Sequence, residues 1–415
     1  MTRFTFLTWD GGGNLPPAVG IAQELVARGN EVRFLGYLPQ RAAIEDRGLA
    51  FTALPRSGTF DLYADRVQEQ RLPAIIRNVW ACPEHLSDIP DALAAHPADV
   101  LVVDFLMQGA LAQARRTDIP VAVLAHSSVA GIVPPPDSPM GSARLAAANA
   151  FRAGIGLPRM ERLNDGWDGI PTIVTTIPEL DPAADGAAET VHYVGPIAER
   201  TPQSTWDPPW AANDGRPLVL ASFSTTRLWD PASRIRNTLD ALADEPVRVL
   251  LIAGGNSLPL ELPDNATVRP FVPHADVLPS VSATVTHCGH GTVTASLAYG
   301  VPIAGLPYPA ADQPLLAARI QALGGEWRLT ASRARSSSRV RSAICSTSPR
   351  FARRRSAWVA PSERLLELPA RPTCWSSWHA TKIGDLSREL GGQSLRARQP
   401  AASFSPHRTD PALRS

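Results

Sequence analysis

Short apolar runs alternate with longer amphipathic stretches through the first half of the chain. Phe4–Thr8, Val32–Leu35, Val100–Val103, Val121–Ala125 and Thr172–Thr175 read as strands. Between the first two, the stretch from Pro16 to Arg28 has helical periodicity, with proline near its start and Gly29 at its end. Strands and helices in this alternation predict an α/β fold with a parallel sheet covered by helices.

From Gly195 to Pro217 the pattern lapses into a proline-rich, polar segment that reads as a linker. A second series of strands follows at Leu218–Phe223, Val247–Ile252, Thr267–Arg269, Ala283–Thr286 and Val301–Leu306. The expectation is two α/β units, 1–194 and 218–330, joined by a hinge at 195–217. After Ala331 the periodicity stops. Residues 331–415 are dense in Arg and Ser, and Trp358, Trp375 and Trp378 fall in no amphipathic frame. They read as a poorly ordered basic tail with one candidate helix, Ser362–Leu368. An out-of-frame coding end is one explanation for it.

Composition narrows the class. A chain of 415 residues is long enough for two domains, each with its own core. The net charge of +1 hides an asymmetry: residues 331–415 carry 16 Lys+Arg against 5 Asp+Glu, leaving 24 against 34 in residues 1–330. An acidic body argues against nucleic acid as the main partner. The basic tail has two readings, a solvated run or a contact with a membrane or acidic partner. Cys82, Cys288, Cys345 and Cys374 lack disulfide or zinc spacing. The opening MTRFTFLTWD is too briefly apolar for a signal peptide, and no apolar run approaches the ~18 residues of a membrane span. A cytoplasmic protein in a reducing environment, without stable membrane insertion, is expected. A homodimer is compatible with the sequence.

The chemistry is densest between Thr286 and Gln313. A strand ends in His287-Cys288-Gly289-His290-Gly291-Thr292, a helix follows to Tyr299, and the next strand ends near Asp312-Gln313. Backbone N–H groups and the dipole at a helix N-terminus favour a phosphate. A polar pair beyond the carboxyl end of the next strand lies where open α/β sheets hold ligands. Phosphate plus an acid–amide pair suited to hydroxyls suggests a nucleotide sugar. A metal site built on His287, His290 and Cys288 is the weaker reading, and His290 reads as a turn or cleft residue. Gly11-Gly12-Gly13 fails as a dinucleotide fingerprint, because the third required glycine falls at Pro16 and no acid stands near Leu35-Gly36.

These residues resemble family 1 glycosyltransferases of the GT-B fold, and more closely the actinobacterial enzymes that decorate antibiotics and other natural products. The resemblance covers roughly residues 3–330 and is most specific over His287–Gln313, with support from Pro16–Val32, Ser222–Thr225 and Phe271–Pro279. It implies two Rossmann-like domains facing each other across a cleft, with the nucleotide sugar on the C-terminal one and the acceptor on the N-terminal one. It also implies a phosphate contact from His287 and donors around the diphosphate from Gly289, Gly291 and Thr292. Ser222, Ser224 and Thr225 would form a facing loop. Phe271 would stack on the base, although a lone aromatic there reads equally as core, and Val272 would bond the base edge. Asp312 and Gln313 would bind sugar hydroxyls. In many members a C-terminal helix returns to the N-terminal domain, a role the tail would have to fill.

Two departures from the family pattern matter. Plant members place a ribose-binding glutamate eight residues after the signature histidine; here that residue is Ala295, so the resemblance leans toward a thymidine diphosphate sugar rather than a uridine one. The family's Gly-His-x-x-Pro becomes Gly13-Asn14-Leu15-Pro16-Pro17, and Asn14 cannot serve as a base. Either a carboxylate substitutes, from Asp10 or Asp104, or the acceptor is acidic enough to need little help, or activity is impaired. Asn14 could still orient the acceptor, and Asp104 could simply cap the following helix. The acceptor pocket is expected from loops 56–85 and 127–160, with Phe60, Tyr63, Trp80, Met140 and Phe151, and with His126 as a cleft candidate; ordinary amphipathic helices are the plainer reading.

The resemblance implies an inverting transfer needing no cofactor beyond the nucleotide sugar and no metal. Two other readings stay open: a sugar-nucleotide epimerase on the same fold, and a catalytically impaired or auxiliary homologue.

Overall fold

A computed structural model describes residues 1–62, 64, 68–200, 206–211, 213–223, 231–254, 261–309 and 311–323. Two wholly parallel sheets dominate. The first contains β1 (Arg3–Leu7), β2 (Glu31–Gly36), β3 (Ala50–Ala53), β4 (Val100–Asp104), β5 (Val121–Ala125), β6 (Thr172–Val174) and β7 (Val191–Tyr193), ordered 3-2-1-4-5-6-7. The second contains β8 (Leu218–Ser222), β9 (Arg248–Ile252), β10 (Ala266–Arg269), β11 (Val281–Thr286) and β12 (Ile303–Gly305), ordered 10-9-8-11-12.

The central strands are apolar on both faces because both faces are covered. Phe4, Phe6, Val100 and Val102 join one core cluster, whereas Leu7, Leu101 and Val103 join the cluster on the opposite face. Leu218 and Leu220 alternate in the same way with Val219 and Ala221. Such strands lose the polar alternation of half-exposed sheets and read as unbroken apolar runs. The two strands with no sequence signal, β3 and β7, are the edges of the first sheet and are largely half-buried.

Strand order positions the site. In each sheet the chain first moves outward on one side and then returns to the other. The reversals fall between β1 and β4 and between β8 and β11. Crevices open at the carboxyl ends of these pairs, where open α/β sheets bind ligands. Asn14 and Asp104 lie at the first crevice, Ser222 and His287 at the second.

The connecting segment is anchored at both ends. Ile197 packs on the first domain's core, Glu199 pairs with Arg47 and Arg200 with Glu24. Trp206 and Trp210 pack against the second domain's core, with Arg269 and Arg248 stacked on their rings. The domains also meet directly. Leu180 shares an apolar cluster with Cys288, Val293, Ile303, Leu316, Ala317 and Ile320, and the Arg319 guanidinium donates to the Glu179 carbonyl. A Cβ on Gly131 would lie 2.7 Å from the Asp312 Cβ, so glycine is what permits this approach. Among the described residues no helix is long and apolar enough to cross a membrane. Residues 331–415, including the candidate helix at 362–368, lie outside the described residues.

Candidate active site

The first crevice is built around Asp104, which ends the buried strand β4 and is 1% exposed. Its Oδ1 accepts from the Leu106 N–H at 2.9 Å, closing a turn at the strand end; the following helix, Gln108–Ala114, starts after Met107 with no side-chain cap, so Asp104 does not cap it. Its Oδ2 accepts from Asn14 Nδ2 at 3.2 Å and faces His126 Nδ1 at 3.1 Å. Asn14 is itself buried, donating to the Trp9 carbonyl at 2.7 Å and accepting from Gly11 N–H at 2.9 Å. Asn14 therefore fixes the turn and the carboxylate. Asp10 Oδ1 accepts from Gly12 N–H at 3.1 Å, which gives this carboxylate a turn-capping role.

His126 follows β5, and its ring packs edge-on against Phe105 with centroids 5.2 Å apart. With a carboxylate acceptor on Nδ1, the neutral ring carries its proton there and leaves Nε2 as the basic nitrogen. The sequence placed His126 among acceptor contacts; the fold adds the carboxylate that makes it a dyad. Adjacent strands β4 and β5 bring the pair together across 22 residues of sequence.

The second crevice holds the strand–turn–helix segment for which the sequence predicts a phosphate contact. The helix after β11 is His290–Ala298, with Gly289 as its N-cap. Cys288 adopts a left-handed φ of 65°, an uncommon conformation outside glycine that turns the chain sharply from strand to helix. The His287 ring folds over this turn so closely that a Cβ on Gly289 would lie 2.5 Å from its Nε2. Burial pushes the His287 imidazole down to about 4, against a hydrogen bond with the Ser222 backbone that opposes it. At neutral pH His287 thus offers a neutral N–H or lone pair, and positive charge comes from the helix terminus. Arg234, which carried no sequence signal, stacks over Tyr308 at 3.6 Å and donates to the Leu306 and Pro307 carbonyls beside this site. Thr292 is buried. Phe271 is 57% exposed, so it is a surface ring and not core, while Val272 is buried in the second domain's core. Ser224 and Thr225 lie outside the described residues.

The two crevices meet through Ser127 and Asp312. Ser127 Oγ donates to Asp312 Oδ2 at 2.5 Å, so the carboxylate expected to bind sugar hydroxyls holds the facing domain here. Burial raises the pKa of Asp312, partly offset by Ser127 and by the nearby His126. Gln313 is buried, and its Oε1 accepts from Tyr308 N–H at 3.0 Å. The loop bearing Ser127 is organised by Asp181, which is 1% exposed. Its carboxylate accepts from Val129 N–H (2.7 Å), Ala130 N–H (3.1 Å), Ala183 N–H (3.0 Å), Ser128 Oγ (3.0 Å) and the Tyr193 hydroxyl (2.9 Å). Nothing in the sequence around Asp181 marked it.

The expected acceptor loops do converge. Trp80 packs edge-on against Trp9 with centroids 6.0 Å apart, and Arg144 from the helix Pro139–Gly154 lies over its face. Phe60 instead packs on the first domain's core beside Tyr37, and Met140 is 37% exposed. Tyr63 lies outside the described residues.

Four buried imidazoles, His85, His274, His287 and His290, make stability depend on pH, each lowered by burial. Burial pushes His85 and His287 down to about 4 and His290 to about 3. In the unfolded chain each protonates near its ordinary value of about 6.5. Below that value the unfolded state binds protons that the folded state refuses, so stability falls as pH drops toward 4. The raised Asp312 opposes this trend but is a single group. Thermal unfolding is expected several degrees lower at pH 5 than at pH 7.5. His85→Gln, measured the same way, should flatten the slope.

Two parallel-sheet domains with crevices at their switch points, one at a helix N-terminus and one with an Asp–His pair, have the architecture of the GT-B fold. The comparisons agree. Residues 236–365 match the family described as "Erythromycin biosynthesis protein CIII-like, C-terminal domain". The chain is 31% identical over 353 residues to 4'-demethylrebeccamycin synthase of Lentzea aerocolonigenes, covering 72% of this chain and 81% of that one. It is 30% identical over 347 residues to demethyllactenocin mycarosyltransferase of Streptomyces fradiae, covering 74% and 71%. The fold matches the crystal structure of the kitacinnamycin glycotransferase at a TM-score of 0.71, with 22% identity over 94% of this chain and 99% of that one. The protein belongs to the antibiotic glycosyltransferases of this erythromycin-CIII-like, GT-B family.

Proposed function

We propose that the protein moves a sugar from a thymidine diphosphate donor to a hydroxyl of an apolar, ring-bearing natural product, inverting the anomeric carbon. One observation carries this reading: the Asp104–His126 dyad of one domain faces the helix terminus and Asp312–Gln313 of the other, with Ser127 bonded to Asp312 across the cleft. The relatives named as 4'-demethylrebeccamycin synthase and mycarosyltransferase support the reaction class.

In this reading the acceptor oxygen attacks the anomeric carbon opposite the diphosphate. Its proton passes to His126 Nε2, the bond from that carbon to the phosphate oxygen breaks, and nucleoside diphosphate leaves. Asp104 holds the imidazole tautomer and stabilises the cation formed, the role a buried carboxylate takes in triads. Developing charge on the diphosphate meets the N–H groups at the opening of the helix His290–Ala298 and the His287 ring. The mechanism draws on no metal. Ala295 packs against the second domain's core and supplies no carboxylate for a ribose 2'-hydroxyl, which supports the thymidine donor.

The test pairs a transfer assay across aromatic and macrolide acceptors with thermal shift by nucleotides. Sugar transfer, with a larger shift from thymidine than from uridine diphosphate, is the expected result. Equal shifts remove the donor assignment. Conversion of the nucleotide sugar without any acceptor would favour the epimerase reading.

A further inference from the structure

The helix Ala232–Leu242 follows β8 and packs on one face of the second sheet, where Ile235 and Leu239 meet Val219, Ala221 and Val285. The helix His290–Ala298 follows β11 on the opposite face, where Val293 shares a cluster with Ile303 and Ser296 Oγ bonds Thr284 Oγ1 at 3.0 Å. The two helices therefore open on opposite sides of the β8–β11 crevice, and an anion seated there lies between their N-termini.

Arg234 stands in the first turn of Ala232–Leu242, and no acidic residue accompanies it there. A cation is disfavoured at that end, because the helix dipole already places positive charge on it. Arg234 Nε donates to the Leu306 carbonyl at 2.9 Å and Nη2 to the Pro307 carbonyl at 3.1 Å, while Cζ lies 3.6 Å from the centre of the Tyr308 ring. Leu306 and Pro307 follow β12, and β11 lies between β8 and β12, so the side chain reaches across the end of β11. His287 begins there: the Leu306 N–H donates to the Thr286 carbonyl at 2.7 Å, and the His287 and Tyr308 rings have centroids 6.2 Å apart. Burial first, and the Arg234 cation in addition, hold the His287 imidazole down at about 4. Every hydrogen-bond partner of Arg234 is a neutral carbonyl, and no carboxylate among the described residues forms an ion pair with it.

We propose that Arg234 is a further residue of the transfer reaction, whose guanidinium supplies the full positive charge that holds the diphosphate and stabilises it as it leaves. This rests on the donor side of the transfer reading. The bond from the anomeric carbon to the phosphate oxygen breaks with its electron pair left on the diphosphate, so negative charge grows in the crevice. A helix terminus answers with only about half an elementary charge, and His287 is neutral. A guanidinium fixed by carbonyls and a ring keeps its whole charge and needs no rearrangement when the leaving group departs.

The test is calorimetric titration of the full chain with thymidine diphosphate and uridine diphosphate, with thymidine and uridine measured by competition; two bases make the outcome independent of base preference. Arg234→Met is expected to weaken diphosphate binding at least about tenfold, the loss of one charged hydrogen bond, and to leave nucleoside binding within about twofold. Arg234→Gln keeps a donor for the carbonyls without the charge and should lose as much; Arg234→Lys restores the charge and should recover part. Added salt should weaken diphosphate binding more in the parent protein than in Arg234→Gln. If Arg234→Met does not fold, Arg234→Gln carries the comparison. Unchanged diphosphate binding, an equal loss for nucleosides and diphosphates, or a lysine variant no better than glutamine overturns the proposal while leaving the donor reading intact. A parent protein that prefers neither diphosphate over its nucleoside overturns the donor reading itself, and the proposal with it.

Discussion

His126→Gln is expected to slow sugar transfer by about 10²–10⁴-fold, the usual contribution of a positioned general base. Glutamine fills similar space and can still donate to Asp104, so the thymidine diphosphate thermal shift should stay as it is. Loss of the acidic limb of the kcat/KM pH profile separates lost proton transfer from a packing defect. Asp104→Asn should fall comparably, because an amide in place of Oδ2 no longer selects the Nδ1–H tautomer. The double variant Asn14→His with His126→Gln offers a gain-of-function check. Asn14 already lies 3.2 Å from the same carboxylate oxygen, so an imidazole there can take up the dyad from the other side. Full activity in His126→Gln would return the base to a carboxylate or to the acceptor's own acidity.

Asp181→Ala is expected to be the most damaging single change to stability, by roughly 3–5 kcal/mol, because several buried donors lose their acceptor together at about 1–3 kcal/mol each. In a two-domain chain this corresponds to a fall in Tm on the order of 10 °C. The carboxylate binds the start of the helix Val129–Ile132, the segment at Ala183 and Tyr193 of β7 into one unit. Burial and the Asp181 charge both raise the Tyr193 phenol, so the hydroxyl remains the donor over the working pH range. Activity should fall further than unfolding explains, since Ser127 then loses its approach to Asp312. Asp181→Asn keeps an acceptor oxygen and should cost less. A Tm within about 2 °C of the parent protein in Asp181→Ala, which is under about 1 kcal/mol, would show that water or a neighbour replaces the carboxylate.

The two functional halves differed in how far the sequence exposed them. The proposed donor side is contiguous: Cys288 to Thr292 form one turn and one helix start, so the local pattern already put an imidazole, backbone N–H groups and a hydroxyl at one helix N-terminus, and the family resemblance assigned them to His287, Gly289, Gly291 and Thr292. The acceptor side is assembled from Asn14, Asp104 and His126, which neighbouring parallel strands bring together over long sequence separations. Local pattern carries no information about such pairs, which is why His126 and Asp104 were each visible as strand-end residues and not as a dyad. Arg144 left a trace, a cation inside the apolar stripe 141, 144, 145, 148 of its helix, which periodicity alone treats as an exception.

The sequence by itself determined the two α/β units with parallel sheets and the glycine turn that opens a helix after the strand ending at Thr286. Each follows from short-range rules: apolar run length, helix punctuation, and the N–H groups that a helix start leaves unpaired. Only the tertiary structure decided that Asn14 and His126 share the Asp104 carboxylate, that Asp312 bonds Ser127 across the cleft, and that Arg144 is buried with no ion-pair partner among the described residues. Protonation, pairing and burial depend on neighbours distant in the chain, and those neighbours exist only once the sheets have formed and the domains have met.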